Sequence, residues 1–332
     1  MAYMVELLDC TLRDGGNVVG AGFPKELTEK IMKGLIDSNI KVIEYGHPSG
    51  LGGNKAGVKN APLSDEEYLE IGSPYFSQAE VGMFCQPKHA TISEIKLAAQ
   101  KGLGFLRVGI NAGDSAKAKD LIKEIRGRGI KVRTSLMKGY ILPPDELAEE
   151  ARSLERYGAQ AVTIMDSAGY MLPDEVKKYV EAMIKKVSIP IGFHGHNNLG
   201  LAVANGLAAL QAGATSIDCG VMGMARSVGN IPTEVFIAAL LRSGESVEYD
   251  LFSLLSFIDK DLAQDLQHCY HNPNPPEQLI LGLSGCHSSF LPLFKGVAEA
   301  SSVDLYKLII NVSAQNMKAP TKELIEEFAK RL

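Results

Sequence analysis

The feature that most constrains the fold is an eightfold alternation of strand-like and helix-like segments over about the first 245 residues. Each strand-like segment is short, apolar or β-branched, and bounded by glycine, aspartate or proline. The segments between them carry apolar residues at helical spacing. Eight such pairs predict a parallel (β/α)8 barrel, the TIM barrel. The alternative is an open, doubly wound sheet, but the GxGxxG motif that usually follows its first strand is absent.

The predicted strands are Val5–Cys10, Lys41–Tyr45, Gln78–Met83, Phe105–Ile110, Lys131–Leu136, Ala161–Asp166, Pro190–His194 and Ser216–Cys219. Several of the intervening helices end at a glycine, which suits the left-handed turn into the next strand. After Ser243 no strand is evident, and helical patterns such as Leu251–Leu266 predominate.

The length of the chain leaves room for more than a barrel. It has 332 residues, and a TIM barrel takes about 250, which leaves roughly 80. We predict a barrel over residues 1–245 and a mostly helical C-terminal region over residues 246–332. This region is expected to pack on the barrel mouth, to form an oligomer interface, or both.

Composition and charge exclude several classes of protein. The net charge is −5 and no basic run appears, which argues against nucleic-acid binding. The apolar stretches, such as Val235–Leu241, are far shorter than the roughly 20 residues that span a bilayer. No signal peptide is evident, and the five cysteines are scattered without a CxxC motif. A reducing cytoplasm is therefore the predicted location.

Active-site residues of such barrels lie at the C-terminal ends of the strands. Arg13 and Asp14 follow the first strand, and His194 and His196 end the seventh. Residues two apart in a strand point the same way, so the two histidines can share a metal with an acid across the barrel. Two imidazoles and a carboxylate suit a divalent cation. The alternatives are an Asp–Arg ion pair at the mouth and a histidine that merely packs in the core.

Other strand ends are less specific. Ser167 follows the sixth strand, and His47 follows the second, where it is either catalytic or an ordinary loop residue. The glycine-rich loop 220–230 after the eighth strand enters a helix and ends at Asn230. Such a loop can bind an anion through helix N-terminal amides, or it can simply need tight turns.

Together these motifs resemble the DRE-TIM metallolyases, which include hydroxymethylglutaryl-CoA lyase and isopropylmalate synthase. The sequence is most similar to the pyruvate aldolase branch, 4-hydroxy-2-oxovalerate aldolase. The stretches that carry the resemblance are Thr11–Gly15, His47 with Gly50–Gly53, Asp166–Gly169, His194–Leu199, Val203–Asn205, Gly229–Asn230 with Glu234–Ala238, and Ser288–Leu291.

The resemblance implies that Asp14, His194 and His196 bind the divalent cation, with Asn230 beside them. Mn²⁺ is the first choice, and Mg²⁺, Co²⁺ or Zn²⁺ are alternatives. It further implies that Arg13 stabilises an enolate and that Ser167 lies near the substrate carboxylate.

Two positions depart from the aldolase pattern. Asn17 stands where the aldolases have a catalytic histidine, and an amide cannot accept a proton at neutral pH. We therefore expect Asn17 to contact substrate instead. His287 stands in place of a tyrosine and is predicted to serve as the acid or base, with His47 in reserve. The alternative for His287 is that it only fills the tyrosine's space.

The predicted function is that of a metal-dependent aldolase, a carbon–carbon lyase. It cleaves a 4-hydroxy-2-oxo acid reversibly through a metal-bound pyruvate enolate. The alternatives are a Claisen-type enzyme acting on an acyl-CoA and a barrel without activity that serves as a scaffold. The expected partners are a small 2-oxo acid and, through the C-terminal region, either a second copy of the chain or an aldehyde dehydrogenase. No nucleic acid or membrane is expected to bind.

Overall fold

The computed structural model describes residues 5–58, 60–270, 276–284, 286, 290–316 and 319–332. Its centre is a closed barrel in which each of the eight strands pairs in parallel with the next and β8 pairs with β1. The strands are β1 Glu6–Asp9, β2 Val42–Tyr45, β3 Glu80–Cys85, β4 Phe105–Asn111, β5 Lys131–Met137, β6 Ala161–Asp166, β7 Ile191–Gly195 and β8 Ser216–Cys219. The predicted TIM barrel is confirmed.

The helices surround the barrel and continue into a C-terminal region. Those of the barrel are α1 Thr11–Asp14, α2 Lys25–Asp37, α3 Asp65–Gly72, α4 Ile92–Lys101, α5 Lys119–Gly127, α6 Pro144–Tyr157, α7 Pro173–Ile184, α8 Ala202–Gln211 and α9 Thr233–Arg242. Those that follow are α10 Leu251–Phe257, α11 Ala263–Leu266, α12 Pro276–Ser284, α13 Leu291–Ser301, α14 Leu305–Asn316 and α15 Lys322–Ala329. A π-helical segment, Ile258–Leu262, joins α10 to α11.

Helices α3 and α4 begin with a capping box, in which a Ser or Thr and a Glu three residues later bond to each other's backbone N–H. Helix α12 begins at Pro276, the last residue of a proline-rich stretch. Proline is tolerated there because the first residue of a helix needs no donor.

The barrel interior is filled, so a ligand reaches it only from the mouth. Leu8, Cys10 and Phe105 form a small apolar cluster separate from the large core between strands and helices. Near the N-terminal end, Arg133 bonds to Glu6 at 2.6 Å and to Glu80 at 3.0 Å. These contacts close the end of the barrel opposite the mouth.

The C-terminal helices pack along one flank of the barrel. Helix α10 lies against α2 and α9, and α12 lies against α9. Near the start of β1, Tyr249 donates its hydroxyl to the Val5 carbonyl at 2.6 Å. At the opposite end, the Tyr270 hydroxyl donates to the Met222 carbonyl, in the loop after β8, at 2.8 Å. The division at residue 245 stays a prediction.

Two buried carboxyl groups attach the first and last strands to α9. Asp9 accepts from the Thr11 backbone N–H at 2.9 Å and from the Thr233 hydroxyl at 3.2 Å. Glu234 accepts from the Met222 backbone N–H at 3.0 Å. Met222 itself has a left-handed backbone conformation, with φ 56°. Burial raises the pKa of Glu234 to about 7 and that of Asp9 to about 6. Both therefore favour the protonated state more than free carboxyls do.

The raised pKa of Glu234 predicts a loss of stability with rising pH. Below about pH 4.5 this carboxyl is protonated in both states. Between about pH 4.5 and 7 only the unfolded chain releases the proton, so the free energy of unfolding falls. Glu234→Gln removes this loss, and its stability relative to wild type should rise by up to about 3 kcal/mol across that window.

Urea unfolding of both proteins at pH 4.5, 6 and 8 measures the effect. The exposed Glu245→Gln is the matched control and should follow wild type at every pH. A Glu234→Gln variant whose stability relative to wild type stays constant with pH would contradict the assignment.

Candidate metal centre and substrate cavity

Asp14 and Arg13 reach the mouth because β1 continues directly into the short helix α1. The turn is held by the Thr11 hydroxyl, which accepts from the Val221 backbone N–H at 2.7 Å. Both side chains are almost completely buried, Arg13 at 4% exposure and Asp14 at 1%. Burial alone would raise the pKa of Asp14. The Arg13 guanidinium and the nearby histidines outweigh burial and hold this pKa well below its usual range.

Three donor atoms converge at the mouth. The Asp14 Oδ2 lies 3.7 Å from the His194 Nε2 and 3.9 Å from the His196 Nε2. Two ligands bound to one cation at about 2.1 Å each are separated by at most roughly 4 Å. These separations therefore fit one cation shared by all three residues. The predicted grouping of Asp14, His194 and His196 is present in the structure.

The histidine rings are oriented by hydrogen bonds at their other nitrogens. His194 Nδ1 lies 3.0 Å from Asp218 Oδ2, and His196 Nδ1 lies 3.3 Å from the Gly229 carbonyl. A carbonyl only accepts, so His196 carries its proton on Nδ1 and leaves a lone pair on Nε2. Burial, together with His194, lowers the pKa of His196 to about 4, which keeps the ring neutral. Neutral imidazoles with a fixed tautomer are what a metal centre requires.

Two amides hold the Asp14 carboxylate. Asn230 Nδ2 donates to Oδ2 at 3.2 Å, and Asn17 Nδ2 donates to Oδ1 at 3.2 Å. Arg226 Nε also lies 3.3 Å from Oδ1. The Oδ1 of Asn230 is buried without a hydrogen-bond partner among the described residues. A buried hydrogen-bond acceptor beside three convergent metal-ligating atoms is a further observation that fits a cation at this place.

Beneath these residues a buried ion network crosses the barrel. Glu44 accepts from Arg13 Nε at 2.5 Å and from Arg107 NH2 at 2.6 Å. Arg107 also bonds to Asp218, which in turn holds His194. Burial opposes the ionised forms, but the two guanidiniums lower the pKa of Glu44 below its usual value. The network therefore stays charged.

A second group of three, Cys10, His194 and Asp218, also brings donor atoms together. The Arg107 guanidinium already bonds to both Cys10 Sγ and Asp218. Burial raises the pKa of the Cys10 thiol well above its usual value. A cation there would meet a thiol and a guanidinium, so this group is a poor metal site.

The mouth opens into a cavity of about 700 Å³. Arg13, Asp14, His194 and His196 line one side, and the floor includes the apolar side chains of Phe84 and Met165. The Phe84 ring packs where a side chain at position 109 would be, because a Cβ on Gly109 would lie 2.0 Å from it. Arg13 stacks above the same ring, 5.0 Å from its centre.

Comparison with known proteins identifies the family. The HMGL-like family model matches residues 4–259. The chain belongs to the HMGL-like family. A 4-hydroxy-2-oxovalerate aldolase of Carboxydothermus hydrogenoformans is 34% identical over 100% of this chain and 98% of its own length. An aldolase of the same name from Moorella thermoacetica is 32% identical over 100% of this chain and 97% of its own length. The predicted relationship to the DRE-TIM metallolyases is confirmed.

Solved structures agree on the fold. An HMG-CoA lyase from Bacillus subtilis superposes with a TM-score of 0.67 at 17% identity, covering 80% of this chain and 94% of its own. The N-terminal domain of a putative aldolase from Bacteroides vulgatus gives a TM-score of 0.65 at 22% identity, over 84% and 97% of the two chains. Among the described residues, no helix is both long enough and apolar enough to cross a membrane.

In this HMGL-like protein, some of the remaining predicted site residues line the cavity and others do not. Ser167 lines the cavity and accepts from the Lys138 backbone N–H at 2.9 Å. Asn17 contacts Asp14 and does not belong to the described lining, and the same holds for Asn230. His287 lies outside the described residues.

His47, the reserve catalytic candidate, packs inside the loop after β2. Its exposure is 2%, and its Nδ1 accepts from the Ser49 backbone N–H at 2.9 Å. A Cβ on Gly53 would lie 2.4 Å from that nitrogen, so the loop backbone covers the ring. His47 is not part of the described cavity lining.

His89 is the cavity residue that the sequence alone did not indicate. It follows β3, lines the cavity, and has a buried Nδ1 without a hydrogen-bond partner among the described residues. Burial, with Lys88 and His47 nearby, lowers the pKa of His89 below its usual 6.5. Its sequence signal is weak, since it lies in a loop without a motif, four residues beyond the strand end at Cys85.

The metal centre predicts specific binding of a divalent cation. Mn²⁺ at one hundred times its dissociation constant should stabilise the fold by about 2.7 kcal/mol, and EDTA should reverse the effect. His196→Gln removes one of three ligands and should abolish this stabilisation. The exposed His268→Gln is the matched control and should retain it. Calorimetric titration and thermal unfolding measure both, and unchanged Mn²⁺ affinity in His196→Gln would refute the site.

Proposed function

We propose that the protein is a divalent-metal-dependent aldolase that interconverts a 4-hydroxy-2-oxo acid with pyruvate and an aldehyde. The observation that carries this proposal is the convergence of Asp14, His194 and His196 beside the buried Arg13 at the cavity wall. The shared name of the full-length relatives supports it. Breaking the bond between carbons 3 and 4 releases the aldehyde, and the electron pair stays on the pyruvate fragment as an enolate.

The three ligands would hold the cation, which supplies Lewis-acid stabilisation for the oxygen of a 2-oxo acid. Arg13 provides the second positive charge. Its Nε bonds to Glu44 and its NH1 lies 3.2 Å from Asp14. Its NH2 is buried without a partner among the described residues. That nitrogen is available to donate to an enolate oxygen, and the Glu44 contact fixes its direction before substrate binds.

Ser167 is proposed to bind the substrate carboxylate. Its hydroxyl oxygen already accepts from the Lys138 backbone N–H. The hydroxyl hydrogen is therefore directed away from that contact, and it can donate to an anionic group in the cavity. This arrangement supports the role that the family resemblance implied.

Proton transfer at the aldehyde oxygen is assigned to His89. It lies in the cavity wall, whereas His47 is enclosed in its loop. The lowered pKa keeps the ring neutral at pH 7, so that it can accept the proton of the 4-hydroxyl group as cleavage begins. The catalytic role of His287 remains a prediction outside the described residues.

The location and partners are proposed on general grounds. Cys10, Cys85, Cys219 and Cys269 are free thiols, which is typical of a reducing compartment and supports the predicted cytoplasmic location. A homodimer or a complex with an aldehyde dehydrogenase through the C-terminal region remains part of the proposal. Light scattering of the purified protein, alone and with that enzyme, measures both.

Exchange of pyruvate protons tests the proposed function without an acceptor aldehyde. With Mn²⁺ in D₂O, the wild-type protein should exchange the methyl protons of pyruvate, as followed by NMR. Arg13→Met should reduce the rate by about 10²–10³-fold, since one preorganised donor to an oxyanion is worth that much. Absence of exchange together with no cleavage of any 4-hydroxy-2-oxo acid would rule the aldolase out. Release of free thiol from acetyl-CoA would instead favour the Claisen-type alternative.

The assignment of His89 predicts a change in the pH profile. In wild type the rate of cleavage should fall as the pH drops through the lowered pKa of His89, below 6.5, because the protonated ring cannot accept a proton. His89→Gln should lower kcat by about 10²-fold and should remove this fall in rate at low pH, the acid limb of the pH profile. His268→Gln serves again as the control. A variant with reduced kcat but an intact acid limb would show that His89 has only a structural role.

A further inference from the structure

The two halves of the cavity wall differ in character. Strand β7 with the residues after it, and helix α1 after β1, provide the candidate metal ligands and Arg13. On the opposite side, the ends of three consecutive strands each contribute a lysine to the lining. These are Lys88 after β3, Lys117 after β4 and Lys138 after β5. Since β4 lies four strands from β8 in the closed barrel, the lysines face the metal centre across the mouth.

Two of these lysines have no anionic partner among the described residues. Lys117 is paired with Asp114 at 2.7 Å. Within the described part of the chain, Lys88 and Lys138 form no ion pair, although both line the cavity. Exposed lysines are common, but charges gathered in a concave wall raise the local concentration of a ligand of opposite charge.

The backbone fixes one of these charges at the rim. Lys138 adopts a left-handed conformation with φ 58°, which is unusual for a residue other than glycine. Its N–H donates to the Ser167 hydroxyl oxygen at 2.9 Å. The residue proposed to bind the pyruvate carboxylate therefore also positions the backbone of Lys138.

The cavity is larger than a five-carbon acid requires. Volumes of roughly 300–1,000 Å³ accommodate drug-sized ligands, and this cavity has about 700 Å³. Its lining also includes the apolar residues Phe84, Ile110, Met137 and Met165. A ligand that fills the cavity can therefore contact the metal centre, apolar side chains and the lysines together.

We propose that the acceptor aldehyde carries an anionic group, a phosphate or a carboxylate, at the end distant from its carbonyl. The inference rests on the proposed function. In the condensation, pyruvate loses a methyl proton and forms a bond from that carbon to the aldehyde carbon. The aldehyde oxygen takes up a proton, and no oxidant or reductant is needed. The lysines select this acceptor through the charge at its far end.

Paired aldehydes test the proposal on the wild-type protein with Mn²⁺ and pyruvate. Glyceraldehyde 3-phosphate is compared with glyceraldehyde, and succinic semialdehyde with butanal. We expect kcat/KM to be about tenfold higher for at least one charged member, and this advantage to shrink between about 10 mM and 500 mM salt. The two pairs show whether the phosphate or the carboxylate is preferred.

Substitution of the lysines tests the source of the preference. The double variant Lys88→Met with Lys138→Met should raise KM for the charged aldehyde and reduce the charged-to-neutral ratio of kcat/KM by about five- to tenfold. Lys178→Met, an exposed lysine on α7 outside the cavity lining, is the matched control and should keep the ratio. Thermal unfolding of each variant verifies that it is folded.

The outcomes separate this inference from the proposed function. Proton exchange of pyruvate together with equal or better use of neutral aldehydes would overturn the anionic acceptor alone. A preference that survives in the double variant would overturn it as well. Absence of exchange, or thiol release from acetyl-CoA in place of aldehyde condensation, would overturn both proposals.

Discussion

The site depends on one buried positively charged side chain, the Arg107 guanidinium in the middle of the barrel. It bonds to Glu44 on one side and to Asp218 on the other, and all three side chains are completely buried. Separating a buried ion pair typically costs about 3–5 kcal/mol, so conformations in which these groups part are scarcely populated. Each carboxylate also forms a hydrogen bond with one residue of the candidate site. Glu44 bonds to Arg13, and Asp218 bonds to His194. The Arg13 side and the His194 side of the candidate site are thus positioned by the same residue.

The same network helps to determine which charged groups surround a metal ion bound at the mouth. Arg13 and Arg107 balance the charges of Glu44 and Asp218, which already accept hydrogen bonds from them. The carboxylate of Asp14 remains, with His194 and His196 close by. One carboxylate and two imidazoles are a donor set for a divalent cation, and the two further positive charges that the cation brings create a field that favours an anionic substrate.

The sequence predicted the barrel and the grouping of Asp14, His194 and His196 because both follow from short-range patterns. Alternation of strands and helices, and two histidines at strand spacing, are visible without knowledge of the register. The ion network is not visible in this way, because Glu44 and Arg107 are single charges within apolar strands whose meeting depends on how the barrel closes. Helices α3 and α4 carried a readable signal in their capping boxes. The enclosure of His47 depends on the backbone path of its loop, which residue type does not determine.

The departure from the family at Asn17 has a structural consequence that links proton transfer to acceptor recognition. The Asn17 amide donates to Asp14 at every pH because it does not titrate. The proposed proton transfer lies on the β3 side of the mouth, where His89 follows Lys88. The positive charge of Lys88 contributes to the lowered pKa of His89. An anionic group paired with Lys88 offsets that contribution, so binding of such an acceptor raises the pKa of His89, although the lowering due to burial remains.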